Sequence, residues 1–281
     1  DPLFTDSDPL AEESHMPVPG LTHRYPDRVL WYVTHSCAVY CRFCMRKRKV
    51  SLPASAPRQS ERIQALEYIK DHPEIQEVIL SGGDPLLLAD HELLEILREV
   101  RSIPSVLSIR IHTRIPVVLP MRIQRSFCKK LSALYPLTLV THFNHVREIS
   151  SLSRMAVERL RRAGIHVLNQ SVLLKGINDS VQAQRELLLA LVRIGVQPYY
   201  LHALDEVQGV SHFKTDLRLG QEILAGLRGT IPGHAIPRYM VDLTGGGGKV
   251  SLEPDNIVGE TDDTLIFKNF EQRTFRRLKD Q

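Results

Sequence analysis

The chain has 281 residues, 43% of them hydrophobic, with 36 Lys plus Arg against 32 Asp plus Glu. A net charge of +4 is too small an imbalance to argue for nucleic acid, and four cysteines, three of them in one window, make no disulfide framework. No apolar run reaches the about 18 residues a membrane helix needs, and no secretory signal is visible, so a cytoplasmic location is expected. The chain begins at Asp1 rather than Met, which leaves a fragment or a lost leader open.

Residues 1–28, rich in Pro and Asp, read as an extended arm. "RVLWYV" then reads as a strand, "SERIQALEYIKDH" as a helix, and "EVILSGGD" as a strand entering a glycine turn. "DHELLEILREV" sets Leu93, Ile96, Leu97 and Val100 on one helical face, with Asp90 able to cap it. "VLSIRIHT", "PLTLVTHFNH", "HVLNQSVLL" and "VQPYYLHALD" are further strands, with helices near 120–134, 153–163, 180–194 and 215–228. Six strand–helix units in series imply a parallel sheet with right-handed crossovers. With no signal that reverses strand order, the α/β pattern favours an open (β/α)6 barrel over a doubly wound sheet. Polar residues fall at successive strand ends, where parallel α/β folds gather their active sites: the cysteines, Ser81–Asp84, His112 and Arg114, His142 with Asn144 and His145, then His202 and Asp205, with Asn169 and Gln170 on the fifth strand.

Cys37, Cys41 and Cys44 have the spacing C-x3-C-x2-C. Clustered thiolates suit zinc or an iron–sulfur cluster. A structural zinc needs a fourth ligand, for which His35 and Cys128 are candidates. A cubane held by three cysteines keeps one iron open for a small molecule. The basic run Arg46–Lys49 behind the window reads as a solvated loop, a basic patch or a nuclear signal. Gly245–Gly248 followed by Lys249 fails the phosphate-loop pattern, because Leu243 holds the first position and Val250 follows the lysine. It reads either as a flexible turn or as a Schiff-base lysine for pyridoxal phosphate (PLP), whose amine a desolvated site would free of its proton.

The cysteine window resembles that of the radical S-adenosylmethionine (SAM) superfamily, and from about Pro19 to Asn256 the chain resembles the lysine 2,3-aminomutase family. The resemblance rests on "PGLTHRYPDRVL", the cysteines with Met45-Arg46, "SGGDPLLL", "HFNH", "LNQSVLLKGIND", "PYYL", "GLRG" and "GGGGK". It implies a partial TIM barrel of the radical SAM type over residues 29–242, an arm (1–28) contributing to PLP phosphate binding, and a glycine–lysine loop and tail (243–281) closing the site. It implies that Cys37, Cys41 and Cys44 hold a [4Fe–4S] cluster, and that Phe43, Ser81, Gly82, Gly83, Asp84, His142 and Gln170 lie at SAM. Lys249 would bind PLP, with Arg24, Tyr25 and Arg28 on the phosphate; Arg46 would clamp the substrate carboxylate, and Asp205 and Asp242 the ε-ammonium of L-lysine. The implied reaction is a 2,3-amino shift to β-lysine, started when a 5′-deoxyadenosyl radical takes hydrogen from the substrate β-carbon. An electron donor such as flavodoxin or ferredoxin is implied; nucleic acid and membrane are not, and a homo-oligomer stays open.

The chain departs from the longer aminomutases in having Ser180 where a cysteine is expected and no cysteine after Cys128, so their zinc region should be absent. "YYLHALDEVQG" is closer to the branch that makes β-lysine for elongation factor P, whereas "VDLTGGGGK" is closer to the free-lysine branch. An arginine- or glutamate-specific aminomutase and a non-catalytic zinc-stabilised module are the alternatives.

Overall fold

The computed structural model describes residues 3–50, 52, 57–253 and 255–279. Its main sheet runs in simple chain order. Strand β1 (Leu21–Tyr25) pairs antiparallel with β2 (Arg28–Thr34). Parallel to β2 and to one another follow β3 (Glu77–Gly82), β4 (Ser108–His112), β5 (Leu137–Thr141), β6 (His166–Val172) and β7 (Gln197–His202). These are the six strands of the expected barrel. The sheet then continues with a further parallel strand, β8 (Arg238–Leu243), which turns back through an antiparallel hairpin into β9 (Gly248–Ser251).

The helices cover the outer face: α1 (Gln59–Asp71), α2 (Asp90–Arg101), the one-turn α3 (Ile115–Val118), α4 (Arg125–Ser132), α5 (Ser151–Arg162), α6 (Val181–Ile194) and α7 (Leu217–Leu227). The apolar stripe of α2, with Leu93, Leu97 and Val100 fully buried, packs into the same core as Val78 and Leu80 of β3 and Ile109 and Ile111 of β4. Burial on one helical stripe and on the outward positions of parallel strands is what holds such a layer together.

Side-chain oxygens of Ser150 and Ser180 cap α5 and α6 by accepting the amides of Ser153 and Ala183. Ser180 is the residue standing where a cysteine was expected. Asp90 does not cap α2. Ala89 is the N-cap, and the Asp90 carboxylate instead pairs with Arg122 at 2.7 Å, tying α2 to the segment before α4.

The arm is extended along β1 but also folds into a short 3-10 turn at Glu13–His15. The two antiparallel edges of the arc are bridged by side chains. Tyr25 Oη accepts the Lys249 amide at 2.7 Å, and the Arg24 guanidinium donates to the Gly246 carbonyl. The tail forms a separate antiparallel sheet, β10 (Ile257–Glu260), β11 (Thr264–Lys268) and β12 (Thr274–Leu278), joined to the end of α7 by the Arg228–Glu253 pair at 2.9 Å.

Candidate active site

The inner face of the arc encloses a cavity of about 650 Å³. Every residue that the family resemblance assigns to a cofactor or to the substrate lines it. The arm brings Arg24, Tyr25 and Arg28; the loop after β2 brings the three cysteines, Phe43 and Arg46; the end of β3 brings Ser81–Asp84. His142 and Gln170 come from the ends of β5 and β6, Asp205 from just beyond β7, and Asp242 and Lys249 from the β8–β9 hairpin. Among the described residues, none after Lys249 lines the cavity.

The cysteine loop is seated by the glycines of "SGGD". A Cβ on Gly82 would stand 2.5 Å from the Thr34 carbonyl, and one on Gly83 would run into that of Ser36. Only glycine lets β3 end so close to the start of the loop, and Gly82 also has φ +100°. The Gly83 and Asp84 amides then donate to the carbonyls of Thr34 and Ser36 at 2.6 and 2.8 Å. Asp84 is buried and fully engaged: it accepts from the Thr113 hydroxyl at 2.5 Å and from the amides of Arg114 and Leu86 at 2.7 and 3.1 Å. The first role of this motif is thus to fix the loop.

The cysteine sulfurs are near enough for each to act on the others. Burial first, then Asp84 and the other two thiols, pushes Cys37 up to about 12, so ligation there must displace a proton. Among the described residues no three His, Cys, Asp or Glu side chains converge on a single-ion site. A cubane spaces its cysteine sulfurs farther apart than one ion does, and three thiols on one cavity wall suit it. Cys128, in α4, is buried in the outer core away from this wall.

The basic run is neither a solvated loop nor a free patch. Arg46 Nη2 meets Glu12 at 2.6 Å, Arg48 meets Asp8 at 2.9 Å, and Lys49 meets Glu13 at 2.9 Å, so the acidic arm is clasped onto the loop. The Glu12 carboxylate takes the Nε–Nη2 edge of Arg46, with Tyr32 Oη also 3.3 Å from Nε. Among the described residues, Nη1 makes only a long contact, 3.4 Å, to Ser81. Sequence reading missed Glu12 altogether.

At the opposite end, Asp242 and Lys249 are cross-strand partners in the β8–β9 hairpin. The Lys249 Nζ lies 2.7 and 2.5 Å from the two Asp242 oxygens. The lysine side chain is 36% exposed, and Asp242 is the partner that holds it. Burial works to raise Asp242, but His202 and Lys249 outweigh it and bring the group down to about 2. Asp205 goes the other way: burial, then the Asp242 charge, pushes it up to about 7. His202 stands 3.5 Å from Asp242, and burial holds its ring below the usual histidine range.

Between the two ends, the Phe43 and His142 rings lie 5.3 Å apart, forming an aromatic wall beside the cysteines. Burial brings His142 down to about 3, and Nε2 contacts Asn144 at 3.0 Å. His112 lines the same cavity with its Nε2 buried and lacking a hydrogen-bond partner among the described residues. Asn144 and Asn169 turn out to be backbone straps. They bind the amides of Val172 and Phe143 at 2.9 and 2.7 Å.

Residues 31–187 match the Radical SAM superfamily model and residues 224–275 the model described as lysine-2,3-aminomutase. An L-lysine 2,3-aminomutase of Escherichia coli (strain K12) is 42% identical over 251 residues, covering 88% of this chain and 72% of that protein. The chain belongs to the lysine 2,3-aminomutase family of radical SAM proteins. Within that family, the L-lysine 2,3-aminomutase of Methanococcus maripaludis is 47% identical over 268 residues, 95% of this chain; the chain spans 62% of that protein's length. Among solved structures, Streptococcus suis SuiB bound to S-adenosylmethionine superposes with a TM-score of 0.51 at 17% identity, over 73% of this chain and 45% of that one, which is a likeness of fold. Radical SAM membership implies a [4Fe–4S] cluster and SAM. Among the described residues no helix is long and apolar enough to cross a membrane.

Proposed function

We propose that the chain performs the 2,3-amino shift that converts L-lysine to β-lysine, holding the substrate carboxylate at Arg46 and its ε-ammonium at Asp205 and Asp242. One observation carries this reading. The cavity contains a guanidinium that already binds a carboxylate, that of Glu12, and a carboxylate that already binds a lysine ammonium, that of Lys249. A substrate with a carboxylate at one end and an ammonium at the other matches both. Glutamate would set a second carboxylate against Asp205 and Asp242, at a cost that a closed site makes large.

In this reading Cys37, Cys41 and Cys44 carry the cluster, and the Phe43–His142 wall, Ser81–Asp84 and Gln170 flank SAM. When bound, the cluster and SAM would supply the radical, and PLP would supply the conjugated system that stabilises the radical formed as the nitrogen migrates. Lys249 is the PLP lysine. Arg24, Arg28 and the Tyr25 hydroxyl are the phosphate donors: all three line the cavity, Tyr25 sits against the Lys249 amide, and Arg28 lies 4.0 Å over the Tyr25 ring. The donor set, two guanidiniums and a phenol beside a lysine, suits a phosphate. Residues 1–28 act as the phosphate-binding arm, 29–242 as the barrel, and 243–281 as the lysine loop and tail. Glu12 fixes the Nε edge of Arg46 and leaves Nη1 for the substrate. The barrel walls orient the partners and exclude water. A one-electron donor of the flavodoxin or ferredoxin type would reduce the cluster and so start the reaction.

The test is to reconstitute the protein anaerobically with iron and sulfide, add PLP, SAM and dithionite, and supply L-lysine. β-Lysine should form, and borohydride should fix PLP on Lys249. An adduct on Lys47 or Lys175 instead, or no β-lysine from a fully loaded protein, would refute the reading.

A further inference from the structure

Arg114, at the end of β4, was noted in the sequence only as one of the polar residues at strand ends. Its guanidinium is anchored on several sides. Nη2 donates to Glu148 Oε1, Nε donates to the His142 carbonyl at 3.2 Å, and the guanidinium carbon lies 5.5 Å from the centre of the Phe43 ring. The backbone is fixed as well, because the Arg114 amide donates to Asp84 at 2.7 Å. Glu148 is itself seated by the amides of Asn144 and His145, at 2.5 and 3.1 Å. What remains is Nη1, which lies 3.0 Å from Cys41 Sγ. The side chain is only 18% exposed. These anchors are independent of the cysteine, so the N–H is pre-set towards the sulfur.

We propose that Arg114 is a positioning residue for the cluster: it donates a hydrogen bond to the Cys41 sulfur and, together with Glu148, sets the reduction potential of the iron–sulfur site. The inference rests on the reading that Cys37, Cys41 and Cys44 hold a [4Fe–4S] cluster. Reduction adds one electron, from an external donor such as dithionite, to a cluster whose negative charge extends onto the cysteine sulfurs. A cation and an N–H donor at one sulfur stabilise the reduced state more than the oxidised state and raise the potential. Glu148 sits on Nη2, the nitrogen not donated to Cys41, and partly offsets that charge. The pair therefore acts on the cluster with opposite signs.

The experiment is an EPR-monitored redox titration of the anaerobically reconstituted protein without SAM, comparing the parent with Arg114→Gln, Arg114→Lys and Glu148→Gln. Arg114→Gln should lower the ratio of reduced to oxidised cluster at a fixed potential by about tenfold, which is about 59 mV for a one-electron couple. Arg114→Lys, which keeps the charge, should recover part of that loss. Glu148→Gln, whose amide oxygen can still accept from Asn144 and His145, should move the ratio upwards. A purely structural role predicts shifts of one sign or none. If Arg114→Gln fails to load iron, the Glu148→Gln and Arg114→Lys titrations decide. Unchanged potentials in both, or a fall in Glu148→Gln, overturn the proposal. A parent that takes up no iron–sulfur cluster defeats the cluster reading instead.

Discussion

The two ends of the cavity are built from the same kind of contact, a salt bridge between an acid and a base of the chain, yet they differ in reach and in burial. Arg46 meets Glu12 across the arm, and both side chains are largely shielded. Lys249 meets Asp242 within one hairpin, seven residues apart, and the lysine stays partly open. The first pair is a fixture: removing one partner strands a buried charge. The second is a resting contact, and the role proposed for Lys249 at PLP requires that the lysine can leave it. In a single cavity, one carboxylate holds its guanidinium in place while another waits for an ammonium.

The largest effects should separate the ends from the cluster. Cys37→Ala, Cys41→Ala or Cys44→Ala should remove most of the iron and all turnover, whereas Cys128→Ala should do neither, with iron per chain as the measurement. Lys249→Ala should keep the iron and lower kcat about a thousandfold or more, because the Schiff-base amine is lost. A variant that retained borohydride-fixed PLP would remove the distinction drawn for the hairpin end.

Glu12→Gln tests the fixture. Breaking a buried ion pair costs about 3–5 kcal/mol, so a clear drop in Tm is expected, and the KM for lysine should rise as Arg46 loses its orientation. The double change Glu12→Gln with Arg46→Gln should recover part of the stability while leaving lysine unbound. If Glu12→Gln unfolds no earlier than the parent, the arm is not the clasp described here.

The acidic pair gives a pH signature. Asp205 titrates at about 7 in the folded chain, above its unfolded value, so its contribution favours folding at low pH and is lost as pH rises through about 7. Ammonium binding needs the ionised form, so lysine affinity should increase as pH rises through about 7. That step should vanish in Asp205→Asn, and lysine kcat/KM should fall about a hundredfold there, with PLP and iron unchanged. A pH step that persists in Asp205→Asn belongs to another group. The smallest effect is expected from Lys49→Ala, whose partner Glu13 is 59% exposed; the loss should stay below about 1 kcal/mol in a denaturant titration.

Much of this was legible in the sequence. The cysteine spacing, the strand ends and Lys249 depend on local order, and local order survives into the fold. What could not be read depends on distant partners. Asp90 looked like a cap because the sequence does not show Arg122 lying across from it. The basic run looked solvated because Asp8, Glu12 and Glu13 lie far back along the chain, in the arm. Strand β9 has only four residues, and the glycines that lead into it from β8 hid a hairpin that brings Asp242 opposite Lys249. Asn144 and Asn169 could be read only as polar residues near the site, because a backbone strap and a ligand call for the same residue type.

The central claim is that the cavity recognises two charges of opposite sign at its two ends. Calorimetry on the cofactor-loaded protein tests it with L-lysine, L-norleucine, cadaverine and L-glutamate. The account predicts that lysine binds at least about a hundredfold more tightly than norleucine, which lacks the ammonium, or cadaverine, which lacks the carboxylate, since each lost ionic contact is worth about 3 kcal/mol or more. Glutamate should be the weakest of the four. Norleucine or glutamate binding as tightly as lysine would contradict it.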